Sequence, residues 1–504
     1  MTGYHAPRWN EPIITEMGSP GRRGLMFDGD SAADALVPAA LLRKAKPCLP
    51  ELSEPEVFRH YLHLAQMTLG MQGVSLFGTC TMKYNAPVSE AIAWRPDMAE
   101  THPAQPVETL QGTLGFIHGL DMMLRQLSGM DRFIFQPGGG ADAAYTHAVV
   151  TRAFMEARGE GGRRDEIITS IQSHPCNPAT AATAGFKVIT LTLEENGYPS
   201  LDQLKSVVSD RTAALMIGNP DDMGIYNPEI REWVRIVHEA GGLCFYDHAN
   251  FNGVMGKLSA RELGFDACMY MLHKTFGAPK GGNGPSVGAY GCSAELAPFL
   301  PGPLVVQDAD GFRFDDARPE AAGKIREYLG NVQQVMKAYA WVAAMGADGI
   351  HEASDLSVLA NNYMDARLAK LRGLSRSHPH IEAPRMEMTR WSMEPLLRET
   401  GVGVLDVQAR ITDYGIDAFW LSHEPWIVPE PFTPEAGEMW SKEDIDRWID
   451  ALAAVIDEAY TDPDLVKSAP HNQAIHRLNG NDLNNPDRFA TTMRRLRKTH
   501  GRMG

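Results

Sequence analysis

The sequence has no excess of positive charge, no long apolar run and few cysteines, and each of these absences removes a class of protein. Forty-seven Lys and Arg stand against 63 Asp and Glu, a formal net charge of -16 over 504 residues. Without a basic excess there are no counterions to release from phosphates, which argues against nucleic acid as a partner. No stretch approaches the roughly 20 apolar residues that span a bilayer, and the opening Met1-Thr2-Gly3-Tyr4-His5-Ala6-Pro7 has no signal-peptide centre. The six cysteines (Cys48, Cys80, Cys176, Cys244, Cys268 and Cys292) form no CxxC pair, which fits a reducing cytoplasm and no disulfide or metal framework. Cys244 and Cys268 lie inside apolar runs and read as small core residues. His60 and His63 sit three apart on an expected helix from Pro55 to Gln66, but no third ligand is in view, so no metal is expected. Repeats and low-complexity linkers are absent too.

What is present is a soluble globular composition, 44% hydrophobic and 22% charged, in a chain long enough for two or three structural units. Residues 1–110 read as an irregular arm with short helices. Residues 111–335 alternate helices with short apolar runs: helices at Leu110 to Leu127, Ala141 to Arg158 and Glu229 to Glu239, and runs at Phe133 to Phe135, Ile167-Ile168, Lys187 to Leu191, Ala213 to Ile217, Leu243 to Tyr246 and Ala267 to Leu272. Buried strands alternating with helices predict an α/β unit with a mostly parallel sheet. Residues 336–470 read as a smaller α+β domain in the order helix, strand, strand, helix: Val335 to Met345, Ser354 to Leu371, a run near Val404 to Val407, and Lys442 to Glu458. Residues 471–504 read as a polar tail.

Ligands of an open parallel sheet collect at the carboxyl ends of its strands, so the residues after each run carry the chemistry. The run ending at Leu272 is followed by His273-Lys274-Thr275. A lysine there loses hydration and is paired, neutral or covalently used, unless it snorkels to the surface. The run ending at Tyr246 is followed by Asp247, which can also be read as a helix cap. After Phe135 comes Gly138-Gly139-Gly140-Ala141, a turn before a helix whose N–H groups suit a phosphate or simply make a tight turn. Asp142 is compatible with an anion there only if it caps the helix and points away. After Ile168 come Ser173, His174, Cys176 and Asn177, with an imidazole able to stack on a pyridine ring. After Ile217 comes Asn219-Pro220, an amide suited to a phenolic oxygen in a dipeptide that also favours turns. Five strand ends in chain order thus supply a Schiff-base lysine, a carboxylate for a ring nitrogen, a stacking ring, an amide and a phosphate turn. Pyridoxal 5'-phosphate uses all five, which predicts the aspartate aminotransferase fold (fold type I). A nicotinamide site is disfavoured, because Gly281-Gly282-Asn283-Gly284 is not GxGxxG and opens no helix.

Longer strings carry a family resemblance. They include Ser19-Pro20-Gly21-Arg22-Arg23-Gly24, Leu52-Ser53-Glu54-Pro55-Glu56, Gly78 through Asn85, His102-Pro103, Gln136-Pro137, and His174 with Asn177-Pro178-Ala179. Tyr246-Asp247 with Ala249-Asn250, His273-Lys274-Thr275-Phe276 and Ala297-Pro298-Phe299-Leu300-Pro301 continue them. Over nearly its whole length the chain resembles the second, beta-type subunit of glycine decarboxylase, the P-protein of the glycine cleavage system. The resemblance implies that Lys274 holds the cofactor, Asp247 contacts its ring nitrogen and His174 stacks on its ring. With it, Asn219, Gly139, Gly140, Ala141, His273 and Gly284 complete the cofactor site. Thr79, Cys80, Lys83, Tyr84 and Asn177 are expected near the substrate. It further implies decarboxylation of glycine, transfer of the aminomethyl group to the lipoyl arm of H-protein, an alpha-type partner subunit, and a site at a dimer interface in the cytoplasm.

The chain departs from the family's pattern beside these groups, at Pro175, Cys176, His248, Lys280 and Asn283, and at Met386-Glu387-Met388-Thr389, where the family has Met-His-Glu-Phe. These departures keep a second reading open: a pyridoxal-phosphate enzyme that decarboxylates, cleaves or transaminates another amino acid without a lipoyl partner. A silent scaffolding subunit is a third, against which the retention of Lys274 and Asp247 argues.

Overall fold

A computed structural model describes residues 4–24, 36–45, 49–69, 76, 86–278, 286–416, 422, 426–477, 485 and 492–500. The chain divides into two compact units. One comprises Met1–Ser75, Leu405–Ala418 and Ala454–Gly504, and the other Leu76–Val404 and Phe419–Ala453.

The larger unit is built on a seven-stranded sheet in the order β1-β7-β6-β5-β4-β2-β3. Its strands are β1 (Arg132–Ile134), β2 (Glu166–Ser170), β3 (Lys187–Leu191), β4 (Thr212–Gly218), β5 (Leu243–His248), β6 (Ala267–Met271) and β7 (Gly288–Cys292). The run β6-β5-β4-β2-β3 is parallel throughout, and β7 lies antiparallel between β1 and β6. The six apolar runs read from the sequence are the six strands that share one direction. β7 was not among them, because Gly288-Ala289-Tyr290-Gly291-Cys292 has two glycines and too little β propensity to read as a strand.

Alternation along each strand sends side chains to two cores. Leu215, Ile217, Cys244, Tyr246, Cys268 and Tyr270 face one side, where the helices Gln111–Ser128 and Ile230–Glu239 bury Leu114, Leu120, Leu124, Trp233 and Val237 against them. Ala214, Met216, Phe245 and Met269 face the other, against Ala144, Ala148 and Phe154 of the helix Gly140–Ala157. A β-hairpin, β8 (Leu304–Asp308) with β9 (Gly311–Asp315), follows.

Beyond it the helix expected at Val335 to Met345 and the stretch Ser354 to Leu371, expected as a strand, belong to one helical element, Val332–Leu368, kinked where Gly346 takes φ 61° and ψ -174°. The run at Val404 to Val407, expected as a strand, opens the helix Val404–Ile411 instead. Val404, Val407 and Ile411 are buried while Leu405 is exposed, a helical spacing that a four-residue window cannot separate from a strand. Three short strands, β10 (Ser375–Arg376), β11 (Trp391–Ser392) and β12 (Pro431–Phe432), form a second, antiparallel sheet.

In the smaller unit the helix Glu54–Gln66 opens on a capping box, with Glu56 accepting from the Ser53 N–H at 2.8 Å. Both His60 and His63 place Nδ1 on the carboxylate of Glu11, and Trp9 stacks on His63 with 4.0 Å between ring centroids. The two histidines thus have a common acid partner that their spacing did not reveal. Among the described residues no helix is long and apolar enough to cross a membrane.

Gly291 sits directly opposite Phe133 in the β1–β7 pair, and a Cβ there would come within 2.3 Å of the phenyl ring. Gly291→Val is therefore expected to destabilise the larger unit by about 1–3 kcal/mol through overpacking. A lower midpoint in thermal unfolding followed by circular dichroism checks it; an unchanged midpoint would mean that the ring moves aside freely.

Candidate active site

Asp247, the penultimate residue of β5, is buried at the carboxyl edge of the sheet. Its Oδ1 accepts the Ala249 N–H and its Oδ2 the Asn177 side-chain amide, each at 2.9 Å. Asn177 comes from the helix Cys176–Thr183, which starts just after β2. Burial pushes the Asp247 carboxyl up; the Ala249 N–H, the His174 and Lys274 charges and the Asn177 amide all oppose that. The same neighbourhood reaches Cys176, whose thiol is pushed far up by burial and by Asp247 while Lys274 works against both. His174 accepts the Cys176 backbone N–H on Nδ1 at 3.1 Å, so a neutral ring carries its proton on Nε2. Lys274 follows β6 and is 6% exposed. Beside it His273 is pushed down to about 4 by burial and by the Lys274 charge, and its Nδ1 has no partner among the described residues. Lys274, Asp247, His174, Asn177 and His273, read from separate strand ends, therefore share one buried neighbourhood.

The glycine turn lies after β1. Gly139 and Gly140 lead into the helix Gly140–Ala157, whose first-turn N–H groups have no partner within the helix. Asp142 turns back from that end: its Oδ2 accepts the Gly138 N–H at 2.9 Å and pairs with Arg326 Nε at 3.2 Å. Its charge is thus spent on the turn and on a guanidinium. The turn is held close to β7, since Gly288 donates to the Pro137 carbonyl at 2.8 Å and a Cβ on Gly288 would meet the Gly139 carbonyl oxygen at 2.6 Å. Ser286 donates its hydroxyl to the Gly138 carbonyl.

Asn219 is held by a loop rather than left open. Its Nδ2 donates to the Asn227 carbonyl at 3.1 Å and its Oδ1 accepts the Asn227 N–H at 2.8 Å, while its own carbonyl takes the Tyr246 hydroxyl. His248 stands on the opposite face of β5 from Asp247, where its ring packs against Tyr246 and Phe251 with centroids 3.7 and 4.8 Å away. There it is a core ring, pushed down to about 3 by burial. Thr79, Cys80, Lys83, Tyr84, Lys280, Asn283 and Gly284 lie outside the described residues. Three buried groups were not singled out for the site from sequence. Asp222 follows Asn219-Pro220 and could have been found by reading two residues further past β4. Thr275 directly follows the lysine. Glu387 lies in a segment without periodicity and gave no signal as a site residue.

A parallel-sheet domain with a buried lysine and carboxylate at adjacent strand ends is the arrangement of the class-V aminotransferases, and the family model described as Aminotransferase class-V matches residues 133–379. The chain is 42% identical over 479 residues to the probable glycine dehydrogenase (decarboxylating) subunit 2 of Pyrococcus abyssi, covering 94% of each. It is 37% identical over 477 residues to the protein of that name from Staphylococcus aureus strain Newman, covering 93% of this chain and 95% of the other. The chain therefore belongs to the glycine dehydrogenase (decarboxylating) subunit 2 family of enzymes. Among solved structures, a glycine decarboxylase (P-protein) of the glycine cleavage system, in inhibitor-bound form, superposes with a TM-score of 0.68 at 21% identity, covering 84% of this chain and 94% of that one. A cysteine desulfurase from Escherichia coli gives 0.56 at 19% identity, with 77% and 95% covered. At those identities the superpositions establish the shared fold, and with it fold type I.

Burial holds the thiols of Cys244, Cys268 and Cys292 in the protonated, unreactive form. Iodoacetamide at about pH 8 is expected to leave all three unmodified in the folded protein and to alkylate them in denaturant, as read by peptide mass spectrometry. Rapid modification of any of the three under native conditions would contradict their place in the sheet core.

Proposed function

We propose that the chain binds pyridoxal 5'-phosphate through Lys274 and decarboxylates glycine, passing the aminomethyl group to the lipoyl arm of H-protein beside an alpha-type subunit in the cytoplasm. The observation that carries this reading is the burial of Lys274 and Asp247 at neighbouring strand ends. The residues fit the group. Burial drives the Asp247 carboxyl up, so an adjacent cation such as a protonated pyridine nitrogen is what keeps it ionised. Met271 packs directly on the turn, since a Cβ on Gly140 would meet its Cε at 2.7 Å. Thr275 Oγ1 and His273 Nδ1 are buried polar atoms without a hydrogen-bond partner among the described residues.

Bound there, the pyridoxal ring supplies the electron sink for the pair released when a carboxylate leaves. Lys274 would hold it through its side-chain amine. Asp247, fixed by Ala249 and Asn177, holds the proton on the ring nitrogen. His174 would stack on the ring and Gly139, Gly140, Ala141, His273 and Gly284 would line the site, while Asn219 would shape it through the Asn227 loop. Asn177 together with Thr79, Cys80, Lys83 and Tyr84 orients the substrate and keeps water out. The family's name for its archaeal and bacterial members supports glycine as the substrate.

The purified protein is expected to show a visible absorbance band that Lys274→Ala abolishes; survival of the band in that variant would remove Lys274 from its role. Asp247→Asn is expected to retain cofactor but to lose about a hundredfold or more in exchange of labelled bicarbonate into glycine, measured with alpha subunit and lipoyl protein supplied. If the wild type shows no exchange in that assay while another amino acid shifts its spectrum, glycine is not the substrate.

A further inference from the structure

Glu387 is fully buried, and its Oε1 has no hydrogen-bond partner among the described residues, while its Oε2 accepts the Gly253 N–H at 3.3 Å. Asp222 and Asn250 repeat the pattern. The Asn250 amide donates to Asp222 Oδ1 at 2.8 Å, which leaves Asp222 Oδ2 and Asn250 Oδ1 buried without a partner. Buried polar atoms are normally satisfied, and a group of unpaired acceptors, two of them on carboxyl groups, calls for a ligand that brings donors and positive charge. The ionisable groups acting on Glu387 come from three other elements: Asp222 after β4, Tyr246 on β5 and Lys274 after β6. Lys274, at which on the reading above amines exchange, is thus among the charges that act on Glu387.

An amine that arrives near neutral pH arrives as an ammonium ion. It carries three donors and a charge, and its nitrogen has no free pair until it sheds a proton.

We propose that Glu387, with Asp222 and Asn250 beside it, holds the substrate's ammonium group and accepts its proton before the amine exchanges at Lys274. The inference rests on the assignment of Lys274 as the cofactor lysine. In the step, one N–H bond of the ammonium breaks and its proton forms an O–H bond on Glu387 Oε1. The nitrogen keeps the electron pair as a neutral amine, and the carboxylate becomes a neutral acid. The proton stays on Glu387 while the bound substrate occupies the site, and Lys274 leaves as a neutral amine. Burial pushes Glu387 up to about 7, a value at which both of its forms are populated near neutrality.

Glu387→Gln tests this in the cofactor-loaded protein, because glutamine keeps the volume and an acceptor for Gly253 but cannot take a proton. Its unfolding midpoint and bound cofactor are expected to match the wild type. Glycine binding is then titrated by the shift of the visible band from about pH 6 to about pH 9. Wild-type affinity is expected to rise to about pH 7 and level off. The variant is expected to bind about tenfold or more weakly at pH 7 and to gain roughly tenfold per pH unit toward pH 9, since only free amine serves it. Infrared difference spectra on glycine addition are expected to show a new carboxylic-acid C=O band in the wild type that the variant lacks. Equal affinities with the same pH profile, or no new band in the wild type, would overturn the proposal. If glycine leaves the wild-type spectrum unchanged, the glycine reading fails instead; methylamine then replaces it, and the same comparison decides the role of Glu387. Should Glu387→Gln not fold, the wild-type infrared band alone decides.

Discussion

The burial of a carboxylate and a lysine at neighbouring strand ends on the carboxyl edge of the sheet is the constraint on which the rest of this structure depends. Asp247 and Lys274 each lose hydration where they stand, and each would be costly alone. Their coexistence requires the strands that carry them to be adjacent and parallel, which β5 and β6 are. It also requires local donors for the acid, which Ala249 and Asn177 provide. Asn177 in turn needs its short helix to start directly after β2, so a single carboxylate ties together two stretches seventy residues apart.

The surrounding groups divide into those that are satisfied and those that are not. Asp142 and Asn219 are satisfied: one is spent on the Gly138 N–H and Arg326, the other on the Asn227 backbone. Their work is to shape the loops, the first holding the glycine turn and the second the turn that leads to Asp222. Glu387, Asp222, Asn250, Thr275 and His273 retain buried polar atoms without partners. Such atoms are ones that a ligand with matching donors can complete. His248 also keeps both ring nitrogens without partners among the described residues, but alternation along β5 turns its ring into the aromatic core.

Much of the sheet was legible because its strands are short, apolar and bounded by turn residues. The position of Asp247 and Lys274 just past two such runs followed from that directly. β7 escaped because its glycines, needed under Phe133 and against Gly139, remove the very residues that mark a strand. The helix Cys176–Thr183 escaped because it is short and opens on proline and asparagine, which read as a loop. The run at Val404 was misread because four residues do not distinguish a period of two from one of 3.6. Glu387 escaped as a site residue for a different reason: its neighbours in sequence, Met386 and Met388, say nothing of the distant segments that bury it.

By itself the sequence determined the alternation of strands and helices, the identity of the lysine and acid at successive strand ends, and the family. These are local or ordered quantities: apolar runs, turn residues and chain order in a parallel sheet determine them before any contact is formed. Only the tertiary structure decided which polar groups are used up by the scaffold and which stay open. Asp142 and Glu387 are both acids whose partners come from distant segments, Arg326 for one and Gly253 for the other. Burial and hydrogen-bond satisfaction depend on what folds over a residue, and that information is carried by the rest of the chain rather than by the residue's neighbours.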